Sequence, residues 1–182
     1  MTPSILVTLL LVTGPYSVST GELRQILATS TQHYAEAGIK LRVNKIYKLR
    51  DRHENLESIS ESRQKFYLYR SLVRRAGYDR KGRVHIVLPP MREPGGVRYI
   101  GGFGESGCNP RGVSVSNGQA VRSNGLEGLT PSSIALSHEV AHTVNAKHEG
   151  GINLMNPAAL QYWDRPVGFS QSTVNRMRRC LK

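Results

Sequence analysis

The sequence predicts an α/β fold with five short strands, and three observations lead there. An apolar run near Ser4 to Val12, a helical stripe ending near Ile39 and an alternating segment from Leu41 to Tyr47 form a strand-helix-strand unit. A second helical stripe leads into another apolar strand, Arg83 to Leu88. A further apolar helix carries His138 and His142 four residues apart, so both imidazoles project from one face.

Taken in order, the first run is rich in Ile, Leu, Val and Thr, which suits a buried strand, and it is too short to span a membrane as a helix. With Ser17 and Ser19 after it, the run also has features of a signal peptide. No Lys or Arg precedes it, and its removal would delete the first strand, so it is read as folded structure. Ser19 and Glu22 form a capping-box pattern, and Leu23, Ile26, Leu27, Tyr34 and Ile39 follow the helical stripe. Leu41, Val43 and Tyr47 then alternate with polar residues, giving a second strand parallel to the first through a right-handed crossover.

The charged segment Arg50 to Glu61 reads as an exposed loop. A helix over Ser62 to Arg75 would turn Phe66, Tyr69, Leu72 and Val73 towards the sheet and end at Gly77. Pro89 and Pro90 stop the third strand, and two short strands follow near Val97 to Phe103 and Gly112 to Ser116. Glycines at 101, 102 and 104 let another backbone approach closely. By itself that segment is either a glycine-rich hairpin or an edge strand that takes an extended peptide. Thr130 as N-cap and Pro131 as first helical residue open the histidine helix, whose apolar side carries Ile134, Leu136, Ala141 and Val144. A last helix starts near Ser170 and carries Cys180.

The length of 182 residues suits a single domain, 1–182. Lys and Arg number 25 against 13 acidic residues, giving +12, which favours anionic partners or simply makes a solvated basic surface. No RNA- or DNA-binding motif accompanies the charge, so no specific nucleic-acid partner is expected. Two cysteines, Cys108 and Cys180, leave both a disulfide and two separate thiols open.

The stretch HEVAHTVNAKH, His138 to His148, carries the chemistry. An HExxH arises by accident in roughly one shuffled chain of this composition in a hundred. Asn145 enters the left-handed region cheaply and can end the helix, so the chain can turn and bring His148 back as a third ligand. Three histidines with an open fourth position are the arrangement of a catalytic zinc site. Three imidazoles and Glu139 on an otherwise apolar helix would also be costly to bury without a ligand.

This stretch, followed by NLMNP at Asn153 to Pro157, resembles the metzincin zinc endopeptidases, with their HExxHxxGxxH motif and methionine turn. Asn145 stands at the family's glycine, and both residues tolerate the same backbone conformation. Pro157 stands where astacins and serralysins have a tyrosine, so the chain is more similar to adamalysins (reprolysins) and matrix metalloproteinases. Glu149, directly after the third histidine, is an astacin trait.

The resemblance implies a zincin fold: a twisted, mixed, mostly parallel five-stranded sheet with backing helices and an active-site helix. It divides the chain into an N-terminal subdomain, 1–148, and a small C-terminal one, 149–182. It implies Zn2+ on His138, His142 and His148, and Glu139 as general base and then general acid towards a zinc-bound water. It makes Met155 a packing residue beneath the metal and pairs Cys108 with Cys180. Tyr99, Ile100, Gly101 and Gly102 would be the substrate strand, and Asn156 and Pro157 would begin a pocket wall running to Trp163. Tyr162 and Trp163 could equally pack the last helix. The implied protein is a secreted, monomeric endopeptidase acting on protein or peptide substrates, with no calcium site because acidic residues are scarce. The alternative is a zinc-containing binding protein of weak turnover whose basic surface holds an anionic partner.

Overall fold

The structure, a computed structural model, describes residues 2–13, 17–50, 59–88, 102–117, 129–157 and 166–182. Its strands are β1 (Ser4–Thr13), β2 (Lys40–Arg50), β3 (Arg83–Leu88), β4 (Gly102–Gly104) and β5 (Val113–Asn117). Its helices are α1 (Thr20–Glu36), α2 (Ile59–Ala76), α3 (Leu129–His142) and α4 (Gln171–Cys180), with one 3-10 turn at Tyr78–Lys81. The strands form one sheet in the order β2-β1-β3-β5-β4. Every pairing is parallel except β4 with β5. This is the mixed, mostly parallel five-stranded α/β architecture expected from the sequence.

Side-chain alternation along β1 explains the layers. Ile5, Val7, Leu9 and Leu11 pack with Leu23 and Ile26 of α1, Leu136 and Val140 of α3 and Val174 and Met177 of α4. Leu10 and Val12 point to the other face, where Phe66, Tyr69 and Val73 of α2 cover them. A strand buried on both faces reads as a continuous apolar run, which is why β1 looks hydrophobic throughout. The capping box at the start of α1 is formed, with the Ser19 amide donating to Glu22 Oε2 at 2.7 Å and the Glu22 amide to Ser19 Oγ at 3.2 Å.

Several expectations shift. Leu72 is 42% exposed instead of facing the sheet, because Phe66, Tyr69 and Val73 define the buried stripe and Leu72 lies beside it. The α2 helix begins at Ile59, earlier than Ser62, and residues 51–58 of the expected loop lie outside the described residues. Thr130 and Pro131 lie within the first turn of α3, not at its cap, since the helix already includes Leu129. Proline is tolerated there because first-turn amides have no helical acceptor.

Of the alternating residues in β2, Leu41 is buried, but Val43 is 38% exposed because β2 is an edge strand. The register slips by one residue between Val7 and Thr8, with Asn44 the extra residue on β2. That bulge reverses the facing of the strand, so Leu41 joins the α1 side of the core and Tyr47 and Leu49 the α2 side. No helix among the described residues is long and apolar enough to cross a membrane.

Polar ties fix α3 against its neighbours. On α1, the Tyr34 hydroxyl donates to the Ser137 carbonyl at 2.7 Å, His33 Nδ1 meets Ser137 Oγ at 2.9 Å, and Ser30 Oγ donates to the Ser133 carbonyl at 3.2 Å. Within the sheet, fully buried His85 lies between Ser114 Oγ (2.8 Å) and Ser116 Oγ (2.9 Å) of β5. Burial drives its pKa down to about 3, so it is neutral in the native state.

An unfolded His85 titrates near 6.5 and the folded one near 3, so below 6.5 the unfolded chain binds the extra proton and stability falls with pH. By pH 5 this one group should cost about 2 kcal/mol. Urea unfolding midpoints measured between pH 7 and 5 should show the decline, and His85→Gln should flatten it by about that amount.

Candidate functional site

The site begins with two glycines of the edge strand. A Cβ on Gly104 would lie 2.6 Å from the Glu139 carbonyl oxygen and 3.0 Å from His142 Cβ. One on Gly102 would lie 2.1 Å from the Val115 carbonyl oxygen and 2.7 Å from Glu139 Cγ. The close approach that the glycines permit is therefore that of α3 itself against β4. Glu139 is consequently buried, at 5% exposure, and that burial pushes its carboxyl up to about 8.

The helix then ends as Asn145 allows. Asn145 has φ 68°, the single positive φ outside glycine among the described residues. Its amide donates to the His142 carbonyl at 3.1 Å and the Ala146 amide to the Ala141 carbonyl at 3.1 Å, the paired bonds of a Schellman C-cap. A neighbouring segment braces this turn. The Gly107 amide donates to the His142 carbonyl (3.1 Å), the Asn145 amide to the Gly107 carbonyl (3.1 Å) and the Asn109 amide to the Thr143 carbonyl (3.2 Å). Arg83 Nε adds a bond to the Thr143 carbonyl at 3.2 Å, a cation at a helix C-terminus. Between these bonds Cys108 pairs with Val144 in an antiparallel bridge and is disulfide-bonded to Cys180 of α4.

Beyond the turn the three histidines meet. His138 Nε2 is 3.1 Å from both His142 Nε2 and His148 Nε2, and their ligand atoms lie within 4.8 Å of one another. His138 Nδ1 is 2.6 Å from the Leu154 carbonyl oxygen, and His142 Nδ1 is 2.9 Å from that of Ala146. A carbonyl only accepts, so each Nδ1 carries the proton and each Nε2 presents a bare lone pair. Burial lowers both pKa values, that of His138 to about 4, so these rings are neutral near pH 7.

Lone pairs 3.1 Å apart cannot hydrogen-bond to each other, but they fit a shared cation. Two nitrogens held about 2.05 Å from one tetrahedral ion sit about 3.3 Å apart. The donor set, its spacing and its carbonyl-fixed tautomers thus suit a zinc-like metal. Among the described residues no other group of three or more His, Cys, Asp or Glu has such an arrangement.

The chain from Glu149 to Asn156 closes the floor. The Glu149 amide donates to the Met155 carbonyl at 3.0 Å, and the Met155 amide to Asn153 Oδ1 at 2.8 Å. Met155 is fully buried and shares the core with Val140, Ala141 and Val144. Glu149 accepts hydrogen bonds from Ser170 and Ser172 at the start of α4 and from Arg176 a turn further on. Burial acts to raise its pKa, but the bonds from Ser170, Ser172, Arg176 and Thr173 outweigh it and hold the carboxylate at about 2. Its place after His148 therefore has a local structural use, anchoring the turn to the last helix.

Of the other residues singled out from sequence, Gly102 pairs with Ser116 on the edge strand, Asn156 is half-buried with its Nδ2 donating to the Gly151 carbonyl at 2.6 Å, and Pro157 is exposed. Tyr99, Ile100 and Gly101 lie outside the described residues, as do Tyr162 and Trp163. Sequence reading missed Glu105, which accepts from Arg70, Arg74 (3.2 Å), Asn109 Nδ2 (3.2 Å) and the Val113 amide (2.9 Å) and so anchors the bracing segment. It also missed Arg83, whose only signal was a charge opening an apolar strand.

No protein-family model matches the chain, and no curated protein matches it in sequence. Its fold is similar to solved structures. An archaemetzincin from Methanopyrus kandleri superposes with a TM-score of 0.62 at 21% identity, over 97% of this chain and 95% of that one. Metalloproteinase-II from Bacteroides fragilis gives 0.59 at 17% identity, over 100% of this chain but 54% of that one. At such identities the likeness is one of fold.

Two consequences can be measured. Gly104→Ala should cost about 1–3 kcal/mol in denaturant unfolding, because α3 and β4 must separate. Gly150→Ala, with nothing within 4 Å of its added Cβ, should change stability far less. Replacing Cys108 and Cys180 together by serine opens a loop of 72 residues and should cost about 4 kcal/mol. The same variant should hold added zinc more weakly by equilibrium dialysis, since the brace on the His142–Asn145 turn loses its tether to α4.

Proposed function

We propose that this chain is a zinc-dependent endopeptidase of metzincin type, hydrolysing peptide bonds in protein or peptide substrates. The observation that carries the reading is the convergence of three Nε2 lone pairs, two with their tautomers set by backbone carbonyls, beside a buried glutamate. A zinc ion on His138, His142 and His148 would supply Lewis acidity towards water and the scissile carbonyl.

The chain's own residues do the rest. Glu139, buried next to His138, can as a carboxylate accept a proton from attacking water and then give it to the leaving amine. The edge strand β4 is antiparallel to β5 and lies directly against α3, so an extended substrate paired along it would pass Glu139. In this reading Tyr99 to Gly102 hold the substrate backbone, and Asn156 and Pro157 border the pocket beyond the cleavage point. Met155, fully buried against the core, would serve as the methionine turn. The disulfide and Pro157 favour an adamalysin- or matrix-metalloproteinase-like assignment and a secreted protein.

Glu139→Gln should retain one zinc per chain by metal analysis while cleavage of an unfolded protein substrate falls about 10²–10⁴-fold. Undiminished cleavage would remove Glu139 from the chemistry. His148→Ala should lose zinc and activity together. Full zinc occupancy with no cleavage by the wild type would instead favour a zinc-containing binding protein.

A further inference from the structure

The sheet has a second edge, far from the histidines. β2 is its outermost strand on the side opposite β4, four strand spacings or about 19 Å away. It is eleven residues long, KLRVNKIYKLR, and spans about 36 Å. Only Leu41 on it is fully buried, and no described residue pairs with its outer side. On each side of the bulge at Asn44, the amides and carbonyls of alternate residues therefore face outward without a strand partner among the described residues.

The side chains along that edge share one charge. Lys40, Arg42, Lys45, Lys48 and Arg50 are all exposed, and β2 contains no Asp or Glu. None of the five has an ion-pair partner among the described residues, whereas Arg70, Arg74, Arg111 and Arg176 on other elements do. Lys45 Nζ lies over the Tyr47 ring, 4.8 Å from its centroid. Exposed Val43 and Ile46, each 38% accessible, add apolar surface between the cations.

Cations along an edge repel a second copy of the same strand, which guards against self-association. The same pattern attracts a strand of opposite charge, because oppositely charged residues directly across a strand pair stabilise it. We propose that the β2 edge is a docking site for an acidic, extended segment of a partner protein, which adds to the sheet as a sixth strand. Main-chain hydrogen bonds supply the register, and carboxylates beside Lys40, Arg42 and Lys45 on one face of the bulged strand and beside Lys48 and Arg50 on the other supply the selectivity. This site is independent of the proposed peptidase activity, since it shares no residue with the histidine cluster.

The test uses the full zinc-loaded chain carrying Glu139→Gln, so that no probe is cut. The probe is a fluorescent, acetylated eight-residue peptide in which glutamates, interspersed with valine and threonine, project from both faces of the extended chain, read by anisotropy at low and high salt. Saturable, salt-sensitive binding is expected, weakened about tenfold or more by Lys45→Glu with Lys48→Glu. A version N-methylated on alternate amides keeps its charge but loses one hydrogen-bonding edge, and it should bind at least about tenfold more weakly. Equal binding of the methylated peptide would overturn strand addition. Retention of a single-stranded oligonucleotide or anionic vesicles in place of the peptide would overturn the partner class, and binding unchanged by the two reversals would place it elsewhere.

Discussion

Three peptide hydrogen bonds between residues 107–109 and the end of α3 are the constraint on which the site depends. They fasten the carbonyls of His142 and Thr143 and the amide of Asn145 to a segment that is itself tied to α4 by Cys108–Cys180. They add to the bonds that the Asn145 amide makes to the His142 carbonyl and Arg83 makes to the Thr143 carbonyl, so the turn after the helix is held from both sides. With the turn held, Asn145 redirects the chain by about one residue's worth of positive φ, and His148 arrives within 3.1 Å of His138. The third ligand is thus placed by a neighbouring loop as much as by its own helix.

The bracing loop needs its own anchor, and electrostatics supplies it. Glu105 gathers Arg70 and Arg74 from α2 and the Val113 amide from β5, while Asp79, fully buried, receives Arg111 at 2.8 Å. Such partly buried, multiply bonded pairs resist disruption more than isolated surface pairs, because removing either member strands a charge. At the other end Glu149 performs the same service for the segment after His148, collecting Ser170 at the cap of α4 and Ser172 and Arg176 within the helix. Three acidic side chains, Glu105, Asp79 and Glu149, in a chain with few of them, therefore fasten the two segments that flank the histidine cluster. The cations of β2 have no such assignment, which sets that edge apart from the rest of the basic surface.

Much of the fold was legible because its signals are local. The capping box at Ser19 and Glu22, the two-faced apolar run of β1 and the left-handed Asn145 each express the preference of a few adjacent residues. Errors fell where a distant partner decides. Leu72 is as apolar as Val73, and only the direction of α2 over the sheet distinguishes them. The bulge at Asn44 exchanges the two faces of β2 halfway along, so its alternation alone could not say which side of the sheet each residue serves. The glycines at 102 and 104 announced a close approach without naming α3 as the element that approaches.

By itself, then, the sequence determined the strand and helix pattern, the pairing of His138 with His142 on one helical face, and a residue able to turn the chain after them. Those follow from periodicity and backbone conformation, which neighbours along the chain control. Tertiary structure alone decided that the Leu154 and Ala146 carbonyls set the histidine tautomers, that Glu139 is buried against Gly102 and Gly104, and that residues 107–109 clamp the turn. The partners involved are backbone groups or glycines, and every residue has a backbone. Which carbonyl meets which ring depends on where the chain passes in space, and that information is spread over the whole fold.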